Sequence, residues 1–180
     1  MQIREINGSY RYMPPQEVEK SLEEYGSCLK VLRESFQKEE EEKYLSFAKG
    51  MKVLIIEENI SWQKLISACL RTWEIKSISV RSGEEAHMYM KENTCDLILV
   101  DQMLPDMEGV EVVQKIKYHY KKQEPLPPIV MMVSYEMPQL DKILSENEIF
   151  DYMIKPVDVR QIERVILNCQ KNEEIEAEEA

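Results

Sequence analysis

Four short segments carry reactive side chains directly after apolar runs. "KVLII" (52–56) leads into Glu57-Glu58, and "LILV" (97–100) leads into Asp101. "PIVMMV" (128–133) leads into Ser134, and "DYMI" (151–154) into Lys155-Pro156. If these runs are neighbouring strands, three carboxylates, a hydroxyl and an ammonium share one rim. Carboxylates clustered without a counterion repel and raise one another's pKa. A hard divalent cation relieves this, and Mg²⁺ favours carboxylates, carbonyls and water. A carboxylate beside such a cation is an acceptable nucleophile toward phosphorus. The transferring phosphoryl group then needs positive charge and hydrogen-bond donors around its oxygens. Lys155 and Ser134 are of the right types, so the implied chemistry is phosphorylation of Asp101 to an acyl phosphate. Glu57 or Ser134 alone reads as an ordinary polar loop residue; the set has a single chemical use.

The elements that must position these residues follow a regular alternation. Helical spacing runs through "SWQKLISACLRTW" (61–73), "GEEAHMYMKEN" (83–93), "GVEVVQKIKYHY" (109–120) and "DVRQIERVILNCQ" (158–170), and more weakly through "PQLDKILSEN" (138–147). "IKSISV" (75–80) alternates as a half-buried strand, whereas "KVLII", "LILV" and "PIVMMV" read as strands buried on both faces. Five strands alternating with five helices predict βαβ units, hence an α/β fold. The expected architecture is a doubly wound, five-stranded parallel sheet of flavodoxin-like order 2-1-3-4-5. Such folds bind ligands at the carboxyl ends of the strands. Asp106 and Glu108 read as turn residues leading to Gly109.

Composition narrows the function classes. The net charge of −11 over 180 residues excludes a nucleic-acid footprint, which needs clustered Lys and Arg. Cys28, Cys69, Cys95 and Cys169 are scattered, without metal-ligand spacing, and read as small buried hydrophobes in a reducing cytosol. No signal peptide or membrane-length apolar run is visible, so a soluble cytoplasmic protein is expected. Residues 15–36 repeat Val18, Leu22, Tyr25, Leu29, Leu32 and Phe36 at heptad spacing, interrupted by Gly26. This predicts a helix packed on its own copy in a homodimer or on the following domain. "EEEEK" (39–43) reads as a solvated stretch. The expected organisation is a helical extension and linker over 1–50, one domain over 51–169, and an acidic tail over 170–180.

Residues 51–169 resemble the receiver domain of two-component response regulators. The likeness is carried by "VLIIEEN", "SGEEA", "DLILVDQMLPDMEG" and "DYMIKPVD", in order and at the required spacings. It implies that Asp101 accepts a phosphoryl group from a phosphohistidine on a partner histidine kinase or phosphotransfer protein. By position, Glu57, Glu58, Asp101 and the backbone carbonyl of Met103 would hold Mg²⁺. Ser134 would hydrogen-bond the phosphoryl oxygen, Lys155 would pair with it, and Tyr152 would be the aromatic switch. The family's Lys-Pro peptide bond is cis, which implies the same for Lys155-Pro156.

Three positions depart from the family pattern. Glu58 stands where Asp is usual, Tyr135 where a small residue is preferred, and "ENEIF" where a Gly-Ala pair is common. Tyr135 is therefore expected to restrict access to the phosphate. Two alternatives stay open: a degenerate receiver acting as a phosphorylation-independent scaffold, and the receiver of a hybrid histidine kinase system. With only an acidic stretch after residue 169, output is expected to run through contacts with a downstream protein. His87 and His119 read as ordinary surface or half-buried histidines. The methionines read as core filler and "PLPP" (125–128) as a loop end. No phosphate-cradling glycine motif is present.

Overall fold

The computed structural model describes residues 2–4, 10–12, 46–120, 126–136 and 139–178. The chain divides into two units, Met1–Ser46 and Phe47–Ala180. The first contains an antiparallel ribbon of Gln2–Arg4 and Tyr10–Tyr12, with Ile3 opposite Arg11. The extension expected to be helical therefore begins with strands. The predicted heptad helix over 15–36, its homodimer, the acidic stretch 39–43 and Cys28 lie outside the described residues.

The second unit follows the expected alternation. Its strands are β1 (Lys52–Ile56), β2 (Lys76–Val80), β3 (Leu97–Asp101), β4 (Ile129–Val133) and β5 (Asp151–Ile154). Its helices are α1 (Ile60–Thr72), α2 (Gly83–Glu92), α3 (Gly109–Tyr120), α4 (Leu140–Glu146) and α5 (Val159–Glu178). All pairings are parallel and the sheet order is β2-β1-β3-β4-β5, the flavodoxin-like arrangement. β3 and β4 are buried throughout, and β1 from its second residue, as strands covered on both faces must be. Edge strands β2 and β5 are only partly buried.

Successive side chains of a strand point to opposite faces. Leu54, Ile56, Ile98, Val100, Met131 and Val133 meet Ala86 and Met90 of α2, Val112 and Ile116 of α3, and Leu140 of α4. α1 turns Trp62, Leu65, Ile66, Cys69 and Leu70 inward and packs against α5. Each fully buried aliphatic side chain contributes ~1.5–3 kcal/mol relative to exposure, so the strand bearing Asp101 is held rigidly.

The register brings the strand ends together. Ile56 pairs with both Val80 and Val100, Asp101 with Met132, and Val133 with Ile154. One boundary differs from expectation: α5 continues through Glu178 instead of giving way to a tail near residue 170. Residues 171–178 hold good helix formers and neither Gly nor Pro, so nothing local stops the helix. None of the described helices is long and apolar enough to cross a membrane.

Candidate functional site

β1, β3 and β5 deliver three charged side chains to one point on the carboxyl rim. Lys155 Nζ lies 2.5 Å from Glu57 Oε2 and 2.7 Å from Asp101 Oδ2. Among the described residues, Glu57 and Asp101 are the buried charged side chains, at 1% and 7% exposure. The backbone fixes each of them. Gln102 N donates to Met132 O at 2.9 Å, and Lys155 N donates to Val133 O at 2.7 Å. The Lys155-Pro156 peptide bond is cis, as the resemblance implied.

Glu57 is held from its far side by the turn that starts α1. Asn59 N donates to Glu57 Oε1 at 2.9 Å, while Asn59 Oδ1 caps the helix by accepting from Ser61 N at 2.9 Å. Gln63 Nε2 donates to the Glu57 carbonyl at 2.6 Å. Burial pushes the Glu57 carboxyl above its ordinary range. Lys155 pulls it down and Asp101 pushes it up again, leaving a net rise. Two buried carboxylates thus share one ammonium, a cluster short of positive charge.

That shortage is the observation against which a cation can be tested. Glu57 and Asp101 are hard oxygen donors of the kind Mg²⁺ takes, and their excess negative charge suits it. Glu58 is exposed, and its carbonyl accepts from Arg81 Nε at 3.3 Å. Among the described residues no three His, Cys, Asp or Glu side chains are gathered closely enough to hold a metal. The structure therefore brings together Glu57, Asp101 and Lys155 of the expected set, and leaves Glu58 on the surface. Glu57 and Asp101 have the donor chemistry the ion takes, while the Glu58 carboxylate stands apart from them on the surface.

The remaining expected residues line the rim. Ser134 and Tyr135 follow β4 with exposed side chains, Tyr135 at 39%. Met103 is 59% exposed, and its amide faces Asp101 Oδ1 at 3.4 Å. Tyr152 is half-buried against the core, with its hydroxyl donating to Glu136 Oε1 at 3.4 Å. The Glu136 charge, and then burial, raise the Tyr152 pKa.

Two residues matter here in ways the sequence did not announce. Gly109 opens α3 directly beneath the strand end. A Cβ there would lie 2.3 Å from the Asp101 carbonyl oxygen. Asp106, read as a turn former, instead accepts from Gly83 N and Glu84 N, both at 2.9 Å. It satisfies two free amides at the start of α2 and ties the loop after Asp101 to that helix.

Burial raises the Asp106 pKa, but the Gly83 and Glu84 hydrogen bonds outweigh it, and the carboxyl sits below its ordinary 3.8. A depressed carboxylate pKa stabilises the fold above the unfolded value, and that contribution is lost as pH falls through the folded one. Asp106→Ala is expected to cost ~1 kcal/mol at neutral pH, as lost helix caps do. Urea denaturation should show this difference from wild type shrinking as pH drops below 3.8.

Comparison with known proteins agrees with this picture. The family model described as "Response regulator receiver domain" matches residues 53–167. The chain belongs to that family. It is 25% identical over 114 residues to the transcriptional regulatory protein ZraR of Escherichia coli K12, covering 63% of this chain and 25% of that protein. The chain thus spans about a quarter of the length of the curated relatives it matches.

Among solved structures, one neighbour is the receiver domain of a sensor histidine kinase of Pseudomonas aeruginosa, with a magnesium ion coordinated in its active-site cleft. It aligns with TM-score 0.57 and 23% identity, over 65% of this chain and 94% of that one. Another is the co-crystal structure of the Saccharomyces cerevisiae histidine phosphotransfer protein Ypd1 with the receiver domain of Ssk1. It aligns with TM-score 0.63 and 24% identity, over 68% and 92%. At these identities the likeness is one of fold.

Proposed function

We propose that this chain is an active phosphoacceptor receiver, loaded on Asp101 from a phosphohistidine of a histidine kinase or phosphotransfer protein. The observation that carries the reading is the convergence of Asp101 and Glu57 on Lys155 at the end of a fully buried strand. An Asp101 carboxylate oxygen forms the new O–P bond as the P–N bond breaks, and the bond's electron pair goes to the imidazole nitrogen. Lys155, already 2.7 Å from Asp101, supplies positive charge for the phosphoryl oxygens. Ser134 donates its hydroxyl to them from the end of β4. Tyr135, partly exposed beside it, narrows the approach.

Mg²⁺ held by Glu57, Glu58, Asp101 and the Met103 carbonyl would neutralise charge building on the phosphoryl group. The cation-poor carboxylate pair supports this assignment, as does the magnesium-containing receiver neighbour. The neighbour crystallised with a phosphotransfer protein supports the choice of donor. In our reading Tyr152 is the switch residue, released from Glu136 when Ser134 engages the phosphate, and output passes to a downstream protein. Cys69, Cys95 and Cys169 are buried thiols outside any disulfide, which suits a cytoplasmic setting.

The test is chemical. Incubation with Mg²⁺ and a small phosphodonor is expected to add one hydroxylamine-labile phosphoryl group by intact mass, and Asp101→Asn to abolish it. A folded wild type that never gains the group would instead be a phosphorylation-independent scaffold. Labelling that persists unchanged after chelation would remove the metal from the scheme.

A further inference from the structure

The chain has two histidines, 32 residues apart, and they meet. His87 on α2 and His119 on α3 place Nε2 and Nδ1 3.1 Å apart, with ring centroids 4.5 Å apart and planes inclined by 73°. The pair stands across the α2–α3 seam, outside the carboxylate rim. His119 is exposed, whereas His87 is mostly covered, so solvent reaches the pair from one side.

The contact leaves a defect. His87 Nδ1 is buried without a hydrogen-bond partner. If His87 donates from Nε2, its Nδ1 is a bare lone pair; if His119 donates, it is an N–H with nothing to bond. Glu84 Oε1 lies 3.9 Å from that nitrogen, just outside hydrogen-bond distance, on a side chain that is 62% exposed. Buried polar nitrogens are normally paired, so His87 is favoured in the tautomer whose Nδ1–H turns toward Glu84, which leaves Nε2 as a lone pair.

We propose that His87 Nε2 and His119 Nδ1 exchange their mutual hydrogen bond for one borderline divalent transition-metal ion, such as Zn²⁺, which clips α2 to α3. Imidazole nitrogens suit such metals. Two nitrogens ~2.0–2.1 Å from a tetrahedral ion stand ~3.3–3.4 Å apart. The observed 3.1 Å needs a few tenths of an ångström of opening and a turn of the exposed His119 ring, so that both lone pairs aim at the ion instead of at each other. The protons balance without release: His87 keeps its hydrogen on Nδ1, and the bridging hydrogen leaves His119 Nδ1 for Nε2 of the same ring. The orphan nitrogen then donates to Glu84, completing the carboxylate–histidine–metal arrangement that fixes ligand tautomers. Water fills the remaining positions, since no third ligand is gathered among the described residues. Lys91 and Lys115 also act on His87, and their charge holds the affinity below that of a closed structural site. Buried Cys69 and Cys95, with pKa pushed to about 11 and about 12, do not compete.

The 180-residue chain is titrated with Zn²⁺ in excess Mg²⁺, and the imidazole nitrogens are followed by ¹⁵N NMR. His87 Nε2 and His119 Nδ1 are expected to shift together and saturate at one equivalent. His119→Gln should weaken binding at least tenfold, Glu84→Gln by less, and Asp101→Asn not at all. Cys28→Ser and Cys169→Ser serve as controls for the two remaining thiols. Imidazole signals that do not move, or binding unchanged in His119→Gln, would overturn the proposal. Because the NMR arm uses wild type, a variant that fails to fold does not blunt the test.

Discussion

Replacing Lys155 with Met is expected to destabilise the receiver by ~3–5 kcal/mol at neutral pH, the cost typical of stranding a buried charge. Lys155 is the shared partner of Glu57 and Asp101, at 2.5 and 2.7 Å, and its own side chain is only 14% exposed. Solvent screening cannot substitute for it around Glu57, which is 1% exposed. Denaturant titration at neutral pH measures the loss. Adding Glu57→Gln to Lys155→Met removes the stranded carboxylate and should restore most of the stability. Saturating Mg²⁺ should restore part of it in the single variant. A loss below ~1 kcal/mol would mean that the pair behaves like an exposed salt bridge.

The second large effect concerns a residue with no side chain. Gly109→Ala places a methyl 2.3 Å from the Asp101 carbonyl oxygen and 3.2 Å from both Asp101 C and Gln102 Cα. These are backbone atoms at the end of β3 and in the residue after it, and they cannot swing aside. Relieving the overlap should cost ~1–3 kcal/mol, as overpacking does. It should also displace Asp101, and a displacement near 1 Å can cost ~10²-fold in rate. The expectation is a folded protein, by circular dichroism, that labels at least ~10-fold more slowly with small phosphodonors. Gly83→Ala is the comparison. Its new Cβ would meet the Met107 and Val112 side chains at 2.5 and 2.6 Å, so stability should fall while the labelling rate changes far less. Equal rates in Gly109→Ala and wild type would show that strand position does not limit the chemistry.

What the sequence disclosed follows from what its patterns encode. Apolar runs ending in polar residues located β1, β3, β4 and β5, and the parallel topology then forced Glu57, Asp101 and Lys155 to one rim. Side-chain direction is not encoded that way. Nothing in "EEN" tells that Glu57 turns inward while Glu58 stays at the surface. Pairings between elements were also illegible. Helical periodicity assigns His87 and His119 to faces, but the 3.1 Å contact depends on how α2 and α3 lie together. Asp106 read as a turn former because its partners, the Gly83 and Glu84 amides, are more than twenty residues upstream. The length of α5 was missed for a simpler reason: its polar end lacks the apolar period that reveals a helix.

The bond pair from Asp106 to α2 has a mechanical consequence. It makes the rim around Asp101 lopsided, with one bank anchored to a helix by two amides and the other formed by the exposed Ser134, Tyr135 and Glu136. A load applied at Asp101 meets stiffness on the first bank and compliance on the second. The fold thus has a preferred direction of yield, toward the loop after β4, set by where its hydrogen bonds lie.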